Sequence, residues 1–193
     1  MTMSRAEIEN VVGRELGTGE RLLWTGTPRQ GLLLRPSDAF MVPFSLLWGG
    51  FAMFWETSVL REGGPIFFAL WGIPFVLVGL YMIVGRFFVD ARLRAKMVYA
   101  LTDRRAIVMS GPSGTAVRSV DLARIPELSI AERADGTGTI TFGSPVTGAA
   151  WFGGMPWPGV SGKLTPAFEL VAEVRPLYQR VREAQAAAVA AAR

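Results

Sequence analysis

The chain has 193 residues, a formal net charge of +4 and a sequence pI near 10.1. It contains no cysteine and no histidine, which excludes disulfides, thiolate nucleophiles, histidine metal ligands and a Ser-His-Asp triad. Charged residues make up 19% of the chain and its mean hydropathy is +0.32. Soluble domains carry roughly 25% charged residues, so the composition favours a membrane protein.

Residues 1–38 precede the first long apolar run. Three glutamates lie among the first 19 residues without an apolar core, so we expect no signal peptide. A short amphipathic helix is predicted over residues 8–16 and a strand over residues 20–26 (ERLLWTG). Because a lone strand is not stable, we expect it to join a sheet formed after the spans, with Trp24 in the core.

Two uncharged apolar runs occupy residues 39–55 and 65–85. As a helix the second is about 31 Å long, enough to cross a hydrocarbon core, and the first spans it if residues 56–60 lie at the interface. The runs predict a two-helix transmembrane hairpin over residues 39–85.

Basic residues lie before and after this hairpin in the sequence, and few lie in its loop. Three arginines precede it, six basic residues follow it, and the loop between the runs carries only Arg61. The positive-inside rule therefore predicts that both termini are cytoplasmic.

Small residues recur at helical spacing in both spans. Such residues let membrane helices approach closely, so we predict an antiparallel seam; the alternative is that small residues are simply common in membrane helices. The predicted seam residues are Ser45, Gly49, Ala52, Ala69, Gly72 and Gly79.

Glu56 is the one acidic residue that touches a span. It follows Trp55 at the expected outer end, so we predict a hydrated, interfacial carboxylate. No second ionisable residue lies within the spans to form a relay, which disfavours a transporter.

Residues 86–193 are predicted to form a cytoplasmic β-rich domain. Short strands are expected near residues 97–102, 105–111, 115–121, 128–133, 139–142 and 167–171. A final helix beginning near Glu173 would bury Leu177, Val181 and Ala184, and its alanine-rich tail is expected to fray. The sequence predicts an antiparallel sheet or small barrel.

Two segments carry a family resemblance. Residues 19–28 (GERLLWTGTP) precede the spans, and residues 99–107 (YALTDRRAI) follow them. From about residue 19 to 183 the chain resembles bacterial membrane proteins with a pleckstrin-homology-like domain. The resemblance implies a bent antiparallel sheet capped by a C-terminal helix, at a bacterial inner membrane, and it implies no enzyme. The Trp- and Gly-rich residues 150–158 have no counterpart in the pattern.

The sequence contains no recognisable catalytic motif. Gly162-Lys163 is followed by leucine, and residue 157 is tryptophan where a phosphate-binding loop needs glycine. A Ser-Lys dyad using Lys96 or Lys163 has no further support. We therefore expect no catalytic activity, no cofactor and no metal.

Two groups are candidates for binding. A basic set beside the second span would attract anionic lipid headgroups; alternatively it only sets topology. An aromatic group in a Gly- and Pro-rich segment would contact a partner or the membrane interface; alternatively it fills the mouth of the sheet. The basic set is Arg86, Arg92, Arg94, Lys96, Arg104 and Arg105, and the aromatic group is Trp151, Phe152, Met155 and Trp157.

The sequence thus favours a membrane-anchored, non-catalytic scaffold that recruits a protein or senses the lipid surface. Its expected partners are membrane lipids and an unidentified protein, not nucleic acid, because the basic clusters lie beside the spans. The alternatives are an accessory subunit or assembly factor of a membrane complex and, less favoured, a small transport unit. Oligomeric state is left open.

Overall fold

The computed structural model describes residues 5–34, 38–111, 116–144 and 165–192. Helix α1 and strand β1 precede the apolar helices α2 and α3. A π-helical turn then leads into helix α4. Their bounds are α1 Arg5–Gly13, β1 Leu22–Gly26, α2 Asp38–Arg61, α3 Ile66–Leu80, the π turn Tyr81–Gly85 and α4 Arg86–Arg94.

Six strands and a last helix follow the hairpin, with a short 3₁₀ turn, Leu122–Arg124, between β4 and β5. The strands are short and separated by turns, as their sequence pattern predicts. Their bounds are β2 Val98–Thr102, β3 Arg105–Ser110, β4 Ala116–Asp121, β5 Leu128–Glu132, β6 Gly138–Phe142 and β7 Ala167–Val171, and α5 is Val174–Ala191.

The two apolar helices are long and apolar enough to cross a membrane. α2 has 24 residues, and α3, the π turn and α4 continue without a break over 29 residues, Ile66–Arg94. Only 22% and 17% of their most apolar windows are buried. Their large apolar side chains therefore mostly face outward, unlike those of a core helix in a soluble domain.

The first sheet is antiparallel, with the strand order β1-β2-β3-β4. β1 ends at Gly26, opposite Tyr99 near the start of β2, so the whole hairpin is inserted between two adjacent strands. We call the end of the sheet where β1 ends and β2 begins the hairpin end, because both strands connect to the hairpin there. The opposite, far end holds the β2–β3 turn, the start of β3 and the end of β4.

The second sheet is also antiparallel and has the order β5-β6-β7. The main core lies among both sheets and α5, and Phe168 is at its centre, fully buried. Its ring centroid is 4.8 Å from that of Phe142, 5.1 Å from Tyr99 and 5.6 Å from Trp24. Aromatic contacts at these distances add to the burial energy.

Helix α1 covers the other face of the first sheet. Its Ile8 and Val12 pack against Val98, Ile107 and Met109. Every residue of β2 is buried, because this strand has neighbours on both edges and packing on both faces.

The last helix runs into the alanine-rich tail, as the sequence predicted. It buries Leu177, Val181 and Ala184 and extends to Ala191. Ala188 still packs against the core, and the Gln185 amide donates to the Ile125 carbonyl oxygen at 3.4 Å. These tertiary contacts hold a tail that has little apolar surface of its own.

Candidate functional site

The hairpin is packed through the small residues of both helices. Within the described residues, α2 buries Ser45, Gly49 and Ala52, and α3 buries Ala69, Gly72 and Gly79. A Cβ atom on Gly79 would lie 2.8 Å from Gly49 Cα, closer than real Cβ contacts. The two backbones therefore touch where only glycine fits.

Glu56 is half-buried at the contact between the two helices, where a hydrated, interfacial carboxylate was expected. Its Oε2 is buried without a hydrogen-bond partner among the described residues. A Cβ on Gly72 would clash with this oxygen. Because α2 continues to Arg61, Glu56 lies about 8 Å before the end of the helix. One carboxylate oxygen is therefore covered by the helix pair, because α2 extends beyond the end that the sequence indicated.

An ion pair closes the base of the hairpin. Arg86 Nη2 lies 3.0 Å from Asp38 Oδ1, and each residue is 6% exposed. The Arg86 guanidinium carbon also lies 4.6 Å from the centroid of the Phe87 ring. This pair ties the start of α2 to the start of α4, directly after the π turn.

Arg94 connects the hairpin to the sheet domain. Its Nη1 and Nη2 donate to the carbonyl oxygens of Arg29 (2.5 Å) and Gly31 (2.8 Å), and its Nε donates to Asp90 (2.9 Å). The residue is 2% exposed. One buried guanidinium thus fixes α4 to the segment that links β1 to α2; we call this arrangement the Arg94 clamp.

The same linking segment is attached to the second sheet. The Arg29 backbone N–H donates to the Leu170 carbonyl oxygen at 2.8 Å, and the Arg29 side chain pairs with Asp135. The Thr137 hydroxyl and N–H, together with Arg29, lower the pKa of Asp135. The linker is therefore held from both sides, by α4 and by the β5–β6–β7 sheet.

Replacing Arg94 with lysine is expected to loosen this junction. A lysine keeps the charge but cannot present the planar fork that reaches Asp90 and two carbonyls. Losing about 1–2 kcal/mol of local hydrogen bonding predicts roughly tenfold faster amide exchange at residues 29–31. Amide hydrogen exchange of the full chain in detergent measures this. The matched control is R92K, two residues earlier on an exposed face; equal exchange in both variants would contradict the clamp.

A second polar cluster lies at the far end of the first sheet. Arg105 Nε and Nη2 donate to Glu20 Oε1 and Oε2, both at 2.9 Å. Glu20 also accepts from the Thr102 hydroxyl and the Gly17 N–H, each at 2.7 Å. Chiefly through its hydrogen bonds with Arg105, the site lowers the pKa of Glu20 from the usual 4.5 to about 2.

The structure separates the six basic residues that were predicted to bind headgroups. Arg86, Arg94 and Arg105 are engaged in the contacts above, so the expectation that they face lipid needs correction. Arg92 and Lys96 are exposed near the hairpin end, whereas Arg104 is exposed at the far end. The six residues do not form one surface, because β2 lies between Lys96 and Arg104 in the sequence and leads the chain away from the hairpin.

The predicted aromatic group, Trp151, Phe152, Met155 and Trp157, lies outside the described residues. Sequence inspection missed the clamp and the Glu20–Arg105 pair. Only the Asp90–Arg94 pair carries a local signal, its i,i+4 spacing. The other partners are 63 to 85 residues apart.

Among the described residues, no group of three or more acidic side chains is placed to hold a metal ion. No protein-family model matches the chain, and neither the curated proteins nor the solved structures contain a significant match to it.

Proposed function

We propose that this chain is a non-catalytic integral membrane protein that holds a pleckstrin-homology-like domain at the cytoplasmic face of a bacterial inner membrane, where the domain recruits a soluble protein. The resemblance at residues 19–28 and 99–107 is one support. The described antiparallel strands, capped by α5, agree with the layout that the resemblance implies.

The Arg94 clamp is the observation that carries the proposal. A domain on a flexible tether would need no buried arginine between its linker and the adjoining helix. Here the carbonyl oxygens of the linker residues Arg29 and Gly31 accept hydrogen bonds from Arg94 of α4. β1 ends and β2 begins at the same end of the sheet. The spans therefore set the position and orientation of the domain, as a recruitment platform requires.

The exposed charges support lipid sensing less well than recruitment of a soluble protein. Arg92 and Lys96 remain exposed beside the end of α4, and each would add about 1 kcal/mol near an anionic surface. That energy is small beside the insertion of two apolar helices, so anionic lipid would not decide whether the domain is at the membrane.

A topology assay and a copurification test this proposal. Reporter fusions in the loop at residue 62 and after residue 193 should report the external and the cytoplasmic side, respectively. Mild-detergent extracts should yield a soluble protein in stoichiometric amount with the wild type and with R92E/K96E. The double variant reverses two exposed charges near the hairpin, so loss of the partner in it would place the protein contact at this basic patch and not elsewhere on the domain. A cytoplasmic loop would overturn the topology.

The hairpin itself supports a second candidate, an accessory subunit of a larger membrane complex. Aromatic side chains of both helices surround a groove of about 210 Å³ with Ala52 at its wall. The buried, unpartnered Glu56 oxygen lies on the same helix pair. A stoichiometric integral membrane partner in the copurification would favour this candidate over recruitment from the cytoplasm.

A further inference from the structure

We propose that the groove between the two apolar helices binds a small amphiphilic ammonium ion from within the membrane. The charged head lies at Glu56 and the apolar body lies against the aromatic side chains of the groove. This binding site is independent of the recruitment function. Three observations carry it: the aromatic walls of the groove, the position of the Glu56 carboxyl group and the depth of that group in the span.

The groove is formed by aromatic side chains of both helices. Its volume is about 210 Å³, below the roughly 300–1,000 Å³ of pockets for drug-sized ligands. It therefore suits a smaller molecule, and a helix about 10 Å wide would cover it without entering. The Phe75 ring centroid lies 6.3 Å from that of Trp48 and 6.1 Å from that of Trp71, so the rings support one another as walls. The lining residues are Trp48, Phe51, Ala52, Trp55, Trp71 and Phe75.

Glu56 lies at one end of this groove. It follows Ala52, the small residue of the lining, by four positions, and residues four apart are neighbours on one helix face. A Cβ on Gly72 would lie 2.6 Å from Trp55 Cζ3 and closer still to Glu56 Oε2. The carboxyl group and a ring of the groove thus contact the same point of α3. Glu56 is only half-buried, so part of its side chain is open to a ligand.

The carboxyl group selects a cation. Within the described part of the chain, Glu56 Oε2 is buried without a hydrogen-bond partner. A carboxylate in hydrocarbon is costly, and a bound ammonium ion would neutralise its charge. Aromatic ring faces also attract cations, and tryptophan does so most strongly; three of the six lining residues are tryptophan. An amphiphilic ammonium ion fits both features, whereas a neutral molecule fits only the rings and an anion fits neither.

The depth of the carboxyl group favours a molecule dissolved in the membrane over a phospholipid headgroup. Gly72, against which Oε2 lies, is six residues after the start of α3, about 9 Å along the helix. Phospholipid headgroups lie outside the hydrocarbon core, so their ammonium groups stay farther from the middle of the bilayer. From Glu56 the groove runs toward Trp48, which is about 12 Å deeper. An amphiphile with its head directed outward would follow this path.

The test uses the full chain in micelles of dodecyl maltoside, an uncharged detergent, with octyltrimethylammonium as the probe. We expect saturable binding that changes the fluorescence of the groove tryptophans. Octanesulfonate, which has the same chain and the opposite charge, should bind at least about tenfold more weakly. E56Q keeps the size of the side chain and removes its charge, so it should weaken binding of the cation about tenfold. The matched control E62Q, an exposed glutamate directly after α2, should bind as the wild type does.

A second pair of variants tests the aromatic walls. W71A removes a lining ring that is 57% exposed, and F54A removes a ring that is 68% exposed and does not line the groove. Because both rings lie outside the packed seam, both variants should fold. W71A should weaken binding of octyltrimethylammonium about threefold, and F54A should leave it unchanged. This pair decides the matter even where E56Q loses its helical circular dichroism.

Several results would overturn the proposal. They are equal binding of the cation and the anion, equal binding by folded E56Q and E62Q, and equal loss in W71A and F54A. Complete displacement of the probe by an equal concentration of phosphatidylethanolamine would also overturn it, because the occupant would then be a phospholipid.

Discussion

Replacing Glu20 with glutamine is expected to lower the free energy of unfolding of the sheet domain by about 3 kcal/mol. The Glu20 side chain is 3% exposed and accepts two hydrogen bonds from Arg105. Glutamine would turn an N–H₂ group toward the guanidinium, leaving a charge without its partner. The lowered pKa of Glu20, which is due chiefly to its hydrogen bonds with Arg105, agrees with this direction because the ionised carboxylate is the form that the folded chain stabilises.

The same contact predicts a pH dependence with a definite sign. Because the folded-state pKa of Glu20 is lowered from 4.5 to about 2, its contribution is fully present above pH 4.5. It is lost as the pH falls from about 4.5 toward about 2. Thermal unfolding of the detergent-solubilised chain at pH 6 and pH 3 measures this loss, and E20Q should show a smaller change between the two.

E132Q is the matched control for E20Q. Glu132 also pairs with an arginine through two nitrogens, but Arg175 is 72% exposed. Exposed ion pairs contribute little to stability, so E132Q should unfold near the wild-type temperature. If E132Q and E20Q destabilise equally, the buried position of Glu20 is not the cause.

Replacing Gly79 with leucine is expected to force the two apolar helices apart. A Cβ at Gly79 would lie 2.8 Å from the Gly49 backbone, and a backbone atom cannot rotate out of the way as a side chain can. Overpacking of this kind costs about 1–3 kcal/mol, and the loss of close helix contact is added to it. The midpoint of unfolding in an SDS titration, followed by tryptophan fluorescence, should fall.

G50L separates this steric effect from a change in hydrophobicity. A Cβ at Gly50 meets nothing within 4 Å among the described atoms, so leucine there would face outward and leave the midpoint almost unchanged. Equal shifts in G79L and G50L would contradict the glycine contact between α2 and α3.

Local patterns predicted much of the fold. Uncharged runs long enough to span a bilayer predicted α2 and α3, and the spacing of small residues predicted the side that each helix buries. Turn residues such as Gly111 and Gly136, both at positive φ, marked strand ends. Each of these features depends on neighbours within a few residues, which is the range over which periodicity carries information.

The candidate site was less predictable. Glu20 and Arg105 are 85 residues apart and Arg94 and Gly31 are 63 apart, and no local spacing relates them. The basic residues looked like one cluster in the sequence, but β2 divides them between opposite ends of the sheet. Whether an arginine binds a carboxylate, a backbone carbonyl or nothing depends on what the folded chain places beside it.

The sequence by itself determined two long apolar helices, the small-residue faces of these helices and a series of short strands with a closing helix, because each follows from the order of apolar and polar residues along the chain. Only the tertiary structure decided that Arg94 clamps the hairpin to the sheet, that one Glu56 oxygen is buried between the helices and that Arg104 lies at the end remote from them. These outcomes depend on distances between segments that meet only after folding. Burial and partner together then fix what each charged group can do.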